Sequence, residues 1–148
     1  MAKARITLIG EAVRDALNAA EFSQAFTAEL RYRREKKIGE LDALDVGVYR
    51  FGETPIPEDD QSGDRGGDEI GYTIEVAVRQ KVKTDDETEA LVVLCEEIRQ
   101  FLSRLFLGAV AGDCMAGGAV YDPIHDEDHL LKGIFFGLVT VEFRGFEA

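Results

Sequence analysis

The chain has 148 residues, 45% of them hydrophobic, which suits one domain with its own core. Its formal net charge of −12 opposes binding to nucleic-acid phosphate and to anionic membrane surfaces. No run approaches the ~18 apolar residues of a spanning helix, the opening Met-Ala-Lys-Ala-Arg is not a secretory signal, and two cysteines, Cys95 and Cys114, make no disulfide framework, so a reducing, cytoplasmic setting is expected.

In chain order, Ile6, Ile9, Val13, Ala16, Leu17 and Ala20 recur at helical spacing, with Glu11, Arg14, Asp15 and Asn18 facing away. That predicts an amphipathic helix of about four turns. Phe26, Ala28, Leu30 and Tyr32 then alternate with polar residues, as in a half-buried strand. Its end is basic: Arg31, Arg33, Arg34, Lys36 and Lys37 stand together in an acidic protein. A solvated strand end and a contact with an acidic partner, or with another copy of the chain, both fit that run.

Residues 46–51 read as a second strand. The stretch 53–69 is rich in Pro, Gly and acid, including Glu53, Glu58, Asp59, Asp60, Asp64, Asp68 and Glu69. With so little apolar surface it cannot offset the entropy of ordering, so a long mobile loop that orders against a partner is expected.

The strongest pattern lies at 70–107. Ile70, Tyr72, Ile74, Val76 and Val78 share one strand face. Thr84 and Glu87 then have capping-box spacing, with Asp85 and Asp86 in the first turn. Leu91, Leu94, Cys95, Ile98, Leu102, Leu105 and Phe106 continue as a helical stripe that Gly108 ends. Cys95 on that stripe reads as a small core residue. The helix is expected to fold back on the strand's apolar face. Residues 108–129 read as a second polar loop. The last segment, 130–146, reads as a strand with apolar residues on both faces, covered by the helices on one side and by a neighbouring subunit on the other. The sum is one α+β domain over 1–148. It holds a mixed or antiparallel four-stranded sheet with two main helices on one face.

Chemistry is sparse. His125, Asp126, Asp128 and His129 are the one cluster with metal-ligand types, but Pro123 and the surrounding acids favour a solvated loop over two imidazoles on one helix face. Cys114 lies among acids, which raise a thiol pKa and blunt a nucleophile. The glycines at 63, 66 and 67 lack the Lys and Ser/Thr of a phosphate loop. No catalytic residues, cofactor site or metal site are expected, and the protein is read as working through surfaces.

The order of elements carries one further reading. Ile6-Thr-Leu-Ile-Gly-Glu-Ala-Val-Arg-Asp-Ala-Leu17 is followed by a strand with Tyr32, Glu40-Leu-Asp-Ala-Leu44, Val46-Gly-Val-Tyr49 and an acidic loop. Tyr72-Thr-Ile-Glu-Val-Ala-Val78, a helix with Glu96-Glu97-Ile98, and Gly133-Ile-Phe-Phe-Gly-Leu-Val-Thr-Val-Glu-Phe143 complete it. Over nearly the whole chain this resembles tail terminator (tail-completion) proteins of long-tailed bacteriophages. The resemblance implies a virion protein, assembled in the host cytoplasm, that forms a ring, commonly a hexamer. The ring caps the head-proximal end of the tail tube, stops its polymerisation and joins it to the head connector or stopper. It implies no active site and no cofactor, with DNA only as passing cargo and no membrane partner.

Three surfaces are nominated beside it: the loop 53–69, the basic run at 31–37, and the outer face of the last strand, with Phe135 and Val139 across a subunit boundary. A different neck component, such as a head–tail joining or stopper protein, is the nearest alternative. A metal-dependent small-molecule-binding module using His125, Asp126 and His129 is the alternative from another class.

Overall fold

A computed structural model describes residues 3–32, 41–56, 68–107 and 115–147. In chain order they form α1 (Arg5–Ala19), β1 (Ala28–Arg31), β2 (Asp45–Pro55), β3 (Asp68–Lys81), α2 (Asp85–Leu102), β4 (Met115–Asp122), a short α3 (Glu127–Leu131) and β5 (Ile134–Glu147). The fold is α+β, with one sheet in the order β1-β2-β3-β5-β4. β1 runs parallel to β2, and every other neighbouring pair is antiparallel.

The sheet therefore has five strands among the described residues, not the expected four. The addition is β4, in the stretch read as a polar loop over 108–129. Its Ala116, Gly117, Gly118 and Ala119 offer little side chain to alternate, so the period of two is faint. Pairing along β5, from Met115↔Arg144 to Asp122↔Leu138, holds it as a strand instead. The same stretch contains α3, capped by the Asp126 side chain accepting from His129 N–H. The stretch read as a loop over 53–69 is strand at both of its described ends. Glu53, Thr54 and Pro55 belong to β2 and pair with Tyr72, Gly71 and Ile70 of β3.

α2 begins as the sequence predicts. The Thr84 hydroxyl accepts from Glu87 N–H at 3.2 Å, and the Glu87 carboxylate accepts from Lys83 N–H at 2.9 Å. Three acids in the first turn suit the helix dipole. The helix returns to the sheet, but lies over β5 and β4, while α1 covers β1 and β2. One core fills the space between. Ile9, Val13 and Leu17 of α1 and Leu91, Leu94, Cys95 and Ile98 of α2 meet Val46, Val48, Ile74, Val76, Phe135, Val139, Val141 and Phe143.

Phe135 and Val139 are fully buried in this helix-side core, so they do not form a surface of the single chain. The outward positions of β5 are Ile134, Phe136 and Leu138, and the chain itself buries them. Phe136 and Leu138 cluster with Tyr49 and Ala77, and His125 N–H donates to the Phe136 carbonyl at 2.8 Å. The second cover expected from a neighbouring subunit is thus supplied in part by the segment between β4 and β5.

Candidate functional site

The far face of the sheet, turned away from α1 and α2, carries the most organised polar structure. Strand alternation puts Asp45, Gly47 and Tyr49 of β2 on that face, with Ala77 and Arg79 of β3 and Phe136 and Leu138 of β5. Register then aligns them. Asp45 pairs with Arg79, and Arg79 pairs with Phe136, so three strands contribute one row.

Arg79 Nη2 donates to Asp45 Oδ2 at 3.0 Å, and the guanidinium carbon lies 5.9 Å from the Phe136 ring centroid. Arg31 at the end of β1 donates to both Asp45 oxygens, at 2.7 and 3.0 Å, and to Glu29 at 2.7 Å. Asp45 and Arg79 are buried charges, and Arg31 is half-buried. Mutual pairing offsets the cost of taking such groups out of water. The Arg31 pKa is raised, chiefly by the hydrogen bond to Asp45 and also by Glu29 and Tyr49. Tyr49 folds over Gly47, where a Cβ would lie 2.7 Å from the Tyr49 hydroxyl oxygen.

The row continues into the β4–α3 segment. The His125 ring lies 5.0 Å from Phe136, and the His129 ring 6.1 Å. Each imidazole faces its own acid. His125 Nδ1 is 3.4 Å from Asp122, and His129 Nδ1 contacts Asp126. The Asp126 carboxyl is held below its ordinary value, first by the His129 backbone N–H and then by its ring. Among the described residues no three His, Cys, Asp or Glu side chains gather as a metal-ligand set. Both histidine rings lie against the Phe136 ring.

On the helix side, the chain between α1 and β1 lies over α2. Phe22 stacks on Phe26 at 5.4 Å and meets Phe101 edge-on at 5.6 Å. Ser23 N–H donates to Glu97 at 3.1 Å, and the Ser23 hydroxyl donates to the same carboxylate. A cleft of about 400 Å³ opens beside it, lined by Ser23, Gln24, Gln80, Glu87, Ala90, Leu91 and Val93. Among the described residues Glu87 is the one ionisable group in that lining, and it is engaged at the α2 cap.

The nominated residues fall in several places. Arg31 joins the Asp45 network, while Arg33, Arg34, Lys36 and Lys37 lie outside the described residues, as do Glu58, Asp59, Asp60, Asp64 and Cys114. Glu53 is exposed on β2. Asp68 opens β3 opposite Glu147. Glu69 is buried, 3.7 Å from Arg144. Cys95 is buried in the core, and burial pushes its thiol up to about 12. Sequence reasoning missed Asp45 and Arg79. Arg79 falls on the polar side of a strand pattern and Asp45 just ahead of one, and only the β2–β3 register joins them.

No family model matches the chain, and no curated protein matches it.

Proposed function

We propose that this chain is a structural virion protein of the tail-terminator kind. In that role it forms a ring, six subunits in the resemblance, at the head-proximal end of a phage tail tube. The ring stops tube growth and presents a surface to the head connector. The observation that carries the reading is the one-sided architecture. Both long helices cover one face of the sheet. The opposite face, covered in part by the β4–β5 segment, is a platform crossed by the buried Arg31–Asp45–Arg79 row. A platform fixed by internal ion pairs is suited to docking against flat neighbours, because little side-chain freedom is lost on contact. The acidic balance suits a passage that DNA crosses without adhering.

The experiment is assembly followed by capping. Light scattering over a range of concentrations, with negative-stain imaging, is expected to give a ring with a central hole. Added to growing tail tubes, the protein is expected to arrest elongation at one end. Rings that ignore tubes but bind a portal would point to a different neck component. Neither rings nor capping, at any concentration, would end the structural reading.

A further inference from the structure

We infer that the cleft beside Ser23 takes the Phe106 side chain of a second copy of the chain. This contact rests on the ring reading above and names where neighbouring subunits meet.

The cleft has an apolar floor. Ala90, Leu91 and Val93 of α2 line it, and the Gln24 and Gln80 side chains border it. Ala90 is exposed and Val93 is 40% exposed, so apolar surface stays in water in the single chain. A volume of about 400 Å³ has room for a phenyl ring, since an apolar cavity of ~150 Å³ already holds benzene.

The matching side chain is at the other end of the same helix. Phe106 follows the C-terminus of α2 and is 62% exposed. Ala90 lies twelve residues before Leu102 on that helix, roughly 18 Å along its axis. Phe106 lies beyond that end, so a second copy must supply the ring.

Charge selects Phe106 over the other exposed apolar residues. Asp85, Asp86, Glu87 and Glu89 are exposed acids at the start of α2, whereas residues 98–107 hold Arg99 and Arg104 and no acid. Arg104 is exposed, two positions from Phe106. Glu21 and Glu97 also border Arg104, but Ser23 N–H holds Glu97. Seating Phe106 in the cleft brings Arg104 towards the neighbour's acids. Val120 and Leu131 are also exposed, but Asp122 and Asp128 beside them would meet those acids and be repelled. Two cleft ends set face to face would likewise oppose acid to acid. The contact is therefore between unlike surfaces, and repeated by rotation it closes a ring.

Two full-length variants test this by sedimentation velocity. Phe106→Ser removes the ring, and Ala90→Arg fills the cleft and adds a cation against Arg104. Both side chains are exposed, and circular dichroism checks that the variants fold. Wild type is expected to assemble, and each variant to need at least about tenfold more protein to do so. A one-to-one mixture is expected to give a heterodimer, since one sound cleft and one sound ring remain. The chain has no tryptophan, so Phe106→Trp places a single fluorophore at the contact. Its emission is expected to move to shorter wavelength on assembly, and to stay put when Ala90→Arg is added. Assembly with unshifted emission overturns the contact and leaves the ring reading standing. So do variants that assemble like wild type, or a mixture without heterodimer. An assembly that stops at a dimer yet needs both positions supports the contact and overturns the ring. A wild type that stays monomeric at every concentration overturns the contact, and the capping experiment then decides the ring reading separately.

Discussion

Asp45 faces Arg79 directly across the β2–β3 pairing and accepts its hydrogen bond at 3.0 Å, with both side chains nearly sealed from solvent. The same carboxylate takes two bonds from Arg31. Asp45 therefore lies between two guanidinium groups, and its removal leaves positive charge in a poorly solvated place. Asp45→Ala is expected to destabilise the fold by about 3–5 kcal/mol. Arg31→Met, at the more exposed end of the network, is expected to cost less. Chemical denaturation of both variants checks the order. Equal small losses would mean that the row contributes little.

A second prediction concerns Gly137 on β5. A Cβ there would lie 2.6 Å from Cys95 Sγ and 2.9 Å from Phe135 Cε1. The sheet and α2 approach too closely for even a methyl group. Gly137→Ala is expected to lower stability by about 1–3 kcal/mol through overpacking. Cys95→Ala in the same chain removes the nearest clashing atom, so the double variant is expected to recover part of that loss. Phe135 still limits the recovery. A double-mutant cycle in denaturant measures the coupling, and strict additivity would contradict the packing account.

Burial raises the Cys95 thiol from 9.0 to about 12, because the thiolate is poorly solvated in the core. In a Cys114→Ser background, a thiol reagent at pH 8 is expected to leave the folded protein unmodified and to react fully once denaturant unfolds it. The linkage has a definite sign. The folded pKa is the higher one, so this contribution to stability is complete below pH 9.0 and is lost as pH rises towards about 12. Cys95→Ala is expected to flatten that alkaline decline. An unchanged decline would assign it to other groups.

The parts of the fold legible in the sequence were those with strong periodicity and a local signal at their ends. Ile70 to Val78 alternates without a break, and every second residue is buried against the helices. Thr84 and Glu87 mark the start of α2 by their spacing, and the cap forms there. β4 was not legible because alanine and glycine carry no alternation, and its identity comes from β5 beside it. Apolar residues on both faces of β5 were legible, but not what covers each face. Phe135 and Val139 lie under the helices, while Phe136 meets the two histidines. The Asp45–Arg79 pair joins residues 34 apart in sequence. No short-range pattern encodes it, since only the register of two strands brings the groups together.

The last prediction separates a helix cap from a charge. The Asp126 side chain accepts from His129 N–H at 3.1 Å, and its other oxygen meets the His129 ring beside Phe136. Asp126→Ala removes both contacts and is expected to speed amide hydrogen exchange across Glu127–Leu131 and at Gly133, whose N–H donates to Leu130. Asp126→Asn keeps an N-cap acceptor but loses the charge, so exchange near neutral pH is expected to change little. The two variants and wild type then diverge with acid. The Asp126 pKa is lowered from 3.8, so its contribution is present above pH 3.8 and lost as pH falls through the lower folded value. Wild type is expected to lose protection of α3 in that acid range, while Asp126→Asn, with no carboxyl to protonate, keeps its protection there. If wild type and Asp126→Asn lost protection in parallel, the carboxylate would not be what holds α3 and its histidine against the sheet.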